Sequence, residues 1–242
     1  MLSQVIKPAR RKQEAERPFW ISYADLMTAM MTLCLVAMAV TILAMSQELR
    51  RELSAEDTRA QQILSICNEI KVGIQSRPSI HVNCKDNRID FGAAGRFGYQ
   101  DYRLRAQVES DLAALVPVIL QVSNSKDGRK WFKQVVIEGF TDTKGPYLYN
   151  LYLSLKRSYW MMCMLVDPQR NVQLGLSAEQ VQQVRELFLA GGVSFNDAKQ
   201  SDDASRRVEL RLQFFTRKEQ EEPEETARPH IVTTQQESCE LG

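Results

Sequence analysis

The chain has 242 residues, 44% of them hydrophobic and 25% charged, which is enough for one compact domain with added segments and too little for a large multidomain enzyme. Thirty-one lysines and arginines against thirty aspartates and glutamates leave a formal charge of +1, so no bulk electrostatic footprint points to nucleic acid as the main partner. Function therefore has to be sought in local features.

Residues 1–18 form a basic tip in which Lys7, Arg10, Arg11, Lys12 and Arg17 outnumber Glu14 and Glu16. From Leu26 to Met45 there is no charged residue, no glycine and no proline. A helix of that length spans about 30 Å, the thickness of a bilayer core, and outruns a secretory apolar region of roughly 7–15 residues. The pattern predicts a single transmembrane helix over residues 19–45. The alternative is a cleaved signal peptide, with Ala37-Met38-Ala39 or Ala44-Met45-Ser46 as the cleavage site. Only Arg50 and Arg51 lie close on the far side, so the positive-inside rule puts the N-terminus in the cytoplasm and everything after Gln47 outside it. Phe19, Trp20 and Tyr23 fit an aromatic belt at the cytoplasmic interface.

Asp25 stands just inside this apolar stretch. A carboxylate in hydrocarbon costs about 2.5–3.5 kcal/mol on insertion scales, so it normally faces a partner or a water path, where it can exchange a proton or coordinate a passing Na⁺. At helical spacing Asp25, Thr28, Ala29 and Thr32 share one small, polar face suited to close helix contact. Asp25 is the candidate ion carrier, and Ser22, Tyr23, Thr28 and Thr32 are candidate channel-lining residues.

The run Pro18-Phe19-Trp20-Ile21-Ser22-Tyr23-Ala24-Asp25-Leu26-Met27-Thr28-Ala29-Met30-Met31 resembles the transmembrane signature of MotB, the B subunit of flagellar stators. The resemblance implies a B homodimer inside a ring of polytopic A subunits, five A chains around two B chains. It also implies that the aspartate matching Asp25 carries the coupling ion; whether that ion is H⁺, the working expectation, or Na⁺ depends on groups the partner supplies, and no other cofactor is expected. Cycles of its occupancy turn the ring.

Residues 46–77 carry Leu49, Leu53, Ile63, Cys67, Ile70 and Ile74 at recurring steps of three and four, which predicts a helical stem. In stators a stretch at this place can plug the channel; a spacer or dimer stem is the plainer reading.

Residues 78–216 change character. Strand-like runs at Ile80–Phe91, Gln134–Phe140 and Arg206–Phe215 flank a helical stripe within Arg103–Val122, where Pro117 is expected to kink or end the helix. The alternation predicts an α+β domain. Val135, Val136 and Ile137 suit a buried strand, and Val208, Leu210 and Leu212 alternate with Glu209 and Arg211 as in a sheet with one wet face.

Gly139-Phe140-Thr141-Asp142-Thr143-Lys144-Gly145, followed by Asn150, Leu153, Ser154 and Arg157, matches the OmpA-like peptidoglycan-binding signature T-D-x-x-G-x-x-x-x-N-x-x-L-S-x-x-R at every fixed position. A strand-end carboxylate and a helix-borne guanidinium suit a zwitterion: Asp142 takes an ammonium and Arg157 forks a carboxylate. Diaminopimelate in a peptide stem offers both groups. The resemblance implies an OmpA-like α/β sandwich in which Asp142 and Arg157 bind that diamino acid and Asn150 holds loop or ligand. Arg206-Arg207-Val208-Glu209 resembles the closing strand motif, with Ser205 where asparagine is common. The candidate wall-binding residues are Thr141, Asp142, Asn150, Leu153, Ser154, Arg157 and Arg206. Between the second helix and the last strand, Pro168–Gly192 reads as an insertion, with Ser177-Ala178-Glu179-Gln180 as a capping box opening a helix that runs to Leu189.

Cys34 lies in the apolar segment; Cys67, Cys84, Cys163 and Cys239 fall on the oxidising side, where three pairings are possible. His81 and His230 have no cysteine pair or second histidine at ligand spacing, so no metal site or hydrolytic triad is read and no enzymatic activity is expected. Residues 217–242 hold seven glutamates and read as a flexible acidic tail.

Taken together, tip, aspartate-bearing helix, stem and wall-binding domain resemble B subunits of MotA/MotB-type motors. Phe19-Trp20-Ile21-Ser22-Tyr23-Ala24-Asp25, the segment Leu187–Val193 and the extracytoplasmic cysteines are most similar to the ZorB branch of Zorya antiphage systems. That likeness implies a ZorA partner whose cytoplasmic tail relays envelope disturbance to nucleic-acid-degrading effectors. It also implies a single-pass inner-membrane protein with a periplasmic C-terminal domain. A flagellar stator subunit and a passive OmpA-like wall tether are the alternatives.

Overall fold

A computed structural model describes residues 17–221 and 238–239. Lys7, Arg10, Arg11 and Lys12 of the basic tip, His230 and most of the acidic tail lie outside the described residues. The chain divides into two units, Met1–Asp57 and Thr58–Gly242.

The described part of the first unit belongs to helix α1 (Arg17–Gly73). After Pro18 nothing in this stretch breaks a helix, and its hydroxyls satisfy themselves on the backbone: Thr28 Oγ1 donates to the Ala24 and Asp25 carbonyls at 2.9 Å and Thr32 Oγ1 to Ala29 O at 2.9 Å. Leu26, Met30, Leu33 and Met38 are exposed. The helix is long and apolar enough to cross a membrane.

The second unit begins with the last turns of α1. Ile66 and Ile70 are fully buried and Ile74 is 3% exposed, all within the hydrophobic core. The predicted stem is thus a domain helix in its C-terminal part, while Leu49 and Leu53 remain exposed. The last residue of the helix is Gly73, where a Cβ would stand 2.6 Å from Val118 Cγ1.

A five-stranded sheet follows, in the order β1-β2-β5-β3-β4. Strands β1 (His81–Asn83) and β2 (Arg88–Asp90) form a short hairpin, so the single run expected from Ile80 to Phe91 is two strands and a turn. Helix α2 (Ala106–Ser123) passes through Pro117 without ending there, and its buried stripe of Leu112, Leu115, Val116 and Ile119 holds it on the core. Helix α3 (Lys126–Trp131) leads into β3 (Phe132–Phe140), then come α4 (Tyr147–Val166), α5 (Ala178–Leu187), β4 (Phe188–Ser194), α6 (Asp202–Ser205), β5 (Val208–Phe214) and α7 (Arg217–Glu221). Strand β3 is parallel to β4 and antiparallel to β5.

The capping box at Ser177 forms as expected, with Gln180 N donating to Ser177 Oγ at 3.2 Å and Ser177 N to Gln180 Oε1 at 3.0 Å. Its helix stops at Leu187, and Phe188–Ser194 is not a helix end but the edge strand β4, which makes the segment read as an insertion part of the sheet. Val135 and Ile137 are fully buried while Val136 is half-buried, because β3 shows alternate residues to the core. On the face away from that core, Glu138 and Glu209 are each 7% exposed and not wet. Arg88 bonds Glu209 and lies 3.1 Å from Glu138 Oε2, and Arg207 Nε reaches Glu209 Oε1 at 2.5 Å, so balanced charges cover one another.

Two disulfides select one of the three pairings. Cys67–Cys84 ties α1 to the turn of the β1–β2 hairpin, and Cys163–Cys239 ties α4 to the tail, with Cα separations of 5.6 and 5.7 Å. Cys34 is free.

Candidate functional site

The signature residues meet where β3 ends against the first turns of α4. Gly139 permits this meeting, since a Cβ would lie 2.0 Å from the Ser154 carbonyl oxygen. After Asp142 the chain turns through Gly145, whose φ of +96° suits a residue without a side chain, into the N-terminus of α4. Asn150 fixes this loop: its Nδ2 donates to Lys144 O at 2.9 Å and to Gly145 O and Pro146 O at 3.3 Å. Ser154 Oγ donates to Leu151 O at 2.7 Å and accepts from Ser194 N at 3.1 Å, pinning α4 to β4. Leu153 packs inward at 8% exposure.

The two guanidinium groups differ in employment. Arg157 is fully buried; its Nε donates to Asp101 O at 2.9 Å, Nη1 to Phe140 O, and Nη2 to Gly98 O at 3.4 Å. Burial lowers Arg157 to about 10, with Asp142 resisting that fall and Arg206 adding to it. Arg206 Nη1 donates to Asp142 Oδ2 at 2.9 Å, Nε to Phe97 O at 3.1 Å, and Nη2 to Asp203 Oδ1 at 3.5 Å. Asp142, 4% exposed, also accepts from Lys144 N at 3.1 Å. The expected Asp142–Arg157 pair is therefore brought together, but the direct ionic partner of Asp142 is Arg206, and the Arg157 fork is spent on carbonyls.

A small depression opens over this cluster, lined by Tyr99, Thr141, Asp142, Lys144, Tyr149 and Arg206 among others. Thr141 Oγ1 is buried there without a hydrogen-bond partner, a costly state that a ligand oxygen or amine can relieve. Lys144 Nζ pairs with Asp202 Oδ2 at 2.6 Å, and that bond raises the Lys144 ammonium and lowers the Asp202 carboxyl from their usual ranges. The arrangement offers a carboxylate, a guanidinium and an ammonium within one rim, which is chemistry for a zwitterionic ligand.

Sequence reasoning missed Tyr99, which lies outside the signature, and Lys144 and Tyr149, which fill two of its variable positions. Asp25, Ser22, Tyr23, Thr28 and Thr32 all lie on α1 in the first unit, and Asp25 is exposed there. It is the only charged residue between Arg17 and Glu48.

No protein-family model matches the chain. Over 234 residues it is 52% identical to the Zorya protein ZorB of Escherichia coli O139:H28, an alignment covering 96% of this chain and 94% of that protein. The chain belongs to the ZorB family. Because the alignment runs nearly end to end, ZorB membership takes in both the apolar helix and the domain with the depression. Among solved structures, a MotB-like protein from Desulfovibrio vulgaris overlaps 66% of this chain and 95% of its own, with TM-score 0.44 and 16% identity. The OmpA-like domain of FopA1 from Francisella tularensis overlaps 57% of this chain and 82% of its own, with TM-score 0.35 and 21% identity.

Proposed function

We propose that this ZorB-family chain is the wall-anchored, ion-conducting B subunit of a rotary membrane motor in an antiphage system. In this reading α1 crosses the inner membrane once, with its N-terminus in the cytoplasm and the domain in the periplasm. Two copies stand within a ring of A-type subunits of the ZorA kind, and H⁺ passing Asp25 drives that ring. The observation that carries the reading is the single carboxylate of Asp25 in a helix otherwise free of charge from Pro18 to Gln47. Such a group is tolerated in hydrocarbon when it pairs or exchanges an ion, and an isolated tether has no use for its cost.

The depression at the end of β3 supplies the anchor. Asp142 and Lys144 frame the charged ends of a diaminopimelate stem, Arg206 shares its guanidinium between Asp142 and the ligand carboxylate, and Thr141 Oγ1 finds its missing partner. Arg157 and Asn150 shape the pocket from behind.

The test separates motor from anchor in one strain set. Asp25→Asn should co-purify with the A-type subunit at the wild-type level and lose protection against phage. Full protection in that variant overturns the motor reading. Arg206→Ala should still co-purify but retain roughly a tenth or less of the binding to isolated cell-wall sacculi, as loss of a charge-assisted bond requires.

A further inference from the structure

Helix α4 breaks the usual rule for a surface helix. Its exposed residues are Tyr147, Leu148, Tyr149, Tyr152, Leu155 and Tyr159, and none is charged. Its outward face is thus uncharged and mostly aromatic where an ordinary surface helix is charged, which marks it as a contact surface. The row starts at the rim of the depression, which Tyr149 and Tyr99 both line, and runs away from it. Tyr152 and Tyr159 lie roughly 4.5 and 15 Å further along the helix axis than Tyr149 at 1.5 Å per residue. The nearby ammonium of Lys156 lies 4.8 Å from the Tyr152 ring centroid and 5.1 Å from that of Tyr102, half-buried along the row.

We propose that this face is a carbohydrate platform that seats the sugar backbone from which the peptide stem hangs. The proposal rests on the reading of the depression as the stem site and extends it to the glycan. Every exposed aromatic of the helix is tyrosine. A tyrosine ring offers an electron-rich face to the C–H face of a pyranose, and its hydroxyl meets the sugar hydroxyls, which phenylalanine cannot do. The row carries no carboxylate, and its one ammonium, Lys156, is taken up by the Tyr102 and Tyr152 rings, which matches a polymer whose backbone is largely neutral. Continuity with the depression matches a ligand whose stem and sugar are covalently joined.

The experiment uses the full chain in lipid nanodiscs and three probes: glycan strands stripped of stems, the sugar-free stem peptide L-Ala-D-Glu-meso-diaminopimelate, and the same stem on its disaccharide. Wild type should bind the disaccharide stem roughly ten-fold tighter than the free stem, the size expected from one or two aromatic contacts. Tyr152→Ser with Tyr159→Ser should erase that advantage, abolish binding of stripped strands and leave free-stem affinity unchanged. If wild type ignores the free stem yet binds stripped strands through these tyrosines, the stem reading falls and the platform stands. Equal affinity of wild type for the two stem probes, or sugar binding untouched in the double variant, overturns the platform. A double variant that turns a dimer into monomers while keeping its sugar affinity makes the face a seam between copies, and the proposal falls.

Discussion

Arg157 and Arg206 share one cluster and divide its labour. Replacing Arg157 by methionine strands the carbonyls of Asp101, Phe140 and Gly98 in a buried place, so Arg157→Met should lower stability by about 3 kcal/mol or more, read by chemical denaturation. Arg206 is also largely buried, with 16% of its side chain accessible, and Arg206→Ala would leave the Asp142 carboxylate, 5% accessible, without its ionic partner, so it should cost about 3 kcal/mol as well as removing wall binding. The two roles separate in sacculus binding of the folded variants, which Arg206→Ala should lose and Arg157→Met should keep in part; the reverse result would exchange them. At the chain's other end of chemistry, Glu219 accepts from Lys133 Nζ at 2.5 Å and from Thr216 N at 2.8 Å, and these bonds hold it down at about 2 against an ordinary 4.5. A depressed acid stabilises the fold above its unfolded value and loses that contribution as pH falls. The melting-temperature gap between wild type and Glu219→Gln should therefore be constant above pH 4.5 and close between about 4.5 and 2. At this scale the signature positions were legible, because Thr141, Asp142, Asn150, Ser154 and Arg157 converge as their spacing implies. What spacing could not tell was which arginine meets Asp142, since Arg206 arrives from the far end of the domain and its partner is decided by the fold.

Elements explain the tightest constraints. Gly139→Ala would drive a Cβ against the Ser154 carbonyl and force β3 away from α4, so it should destabilise by about 3 kcal/mol and loosen the wall site with it. Thermal unfolding measured beside sacculus binding tests both halves. The Cys67–Cys84 bridge closes a 17-residue separation, and Cys67→Ser should cost about 3 kcal/mol under oxidising conditions and nothing when wild type is reduced. The helix α5 was legible because a capping box is a local signal. Strand β4 was not: Phe188-Leu189-Ala190-Gly191-Gly192-Val193 has neither clean alternation nor a β-branched run, and it is held by pairing with β3 and by the close approach of Ser154 and Leu155 to Gly192. The burial of the stem's C-terminal part, which ends at Gly73 within the expected 46–77, escaped for a related reason. Steps of three and four show that a helix has an apolar face, and only the domain determines whether Ile66, Ile70 and Ile74 are covered.

For the whole molecule, the proposed ion carrier Asp25 and the proposed wall-holding Asp142–Arg206 cluster belong to different units. On that reading the two roles have no residue in common, so each loss should appear without the other. Asp25→Asn should keep full sacculus binding in the assay that condemns Arg206→Ala.

The last turns of α1 are seated in the hydrophobic interior and stapled through Cys67. A tug on that helix has several buried isoleucines to extract and a covalent link to strain before the domain lets go. If the chain holds still under load, as proposed, this joint is where the load enters the domain.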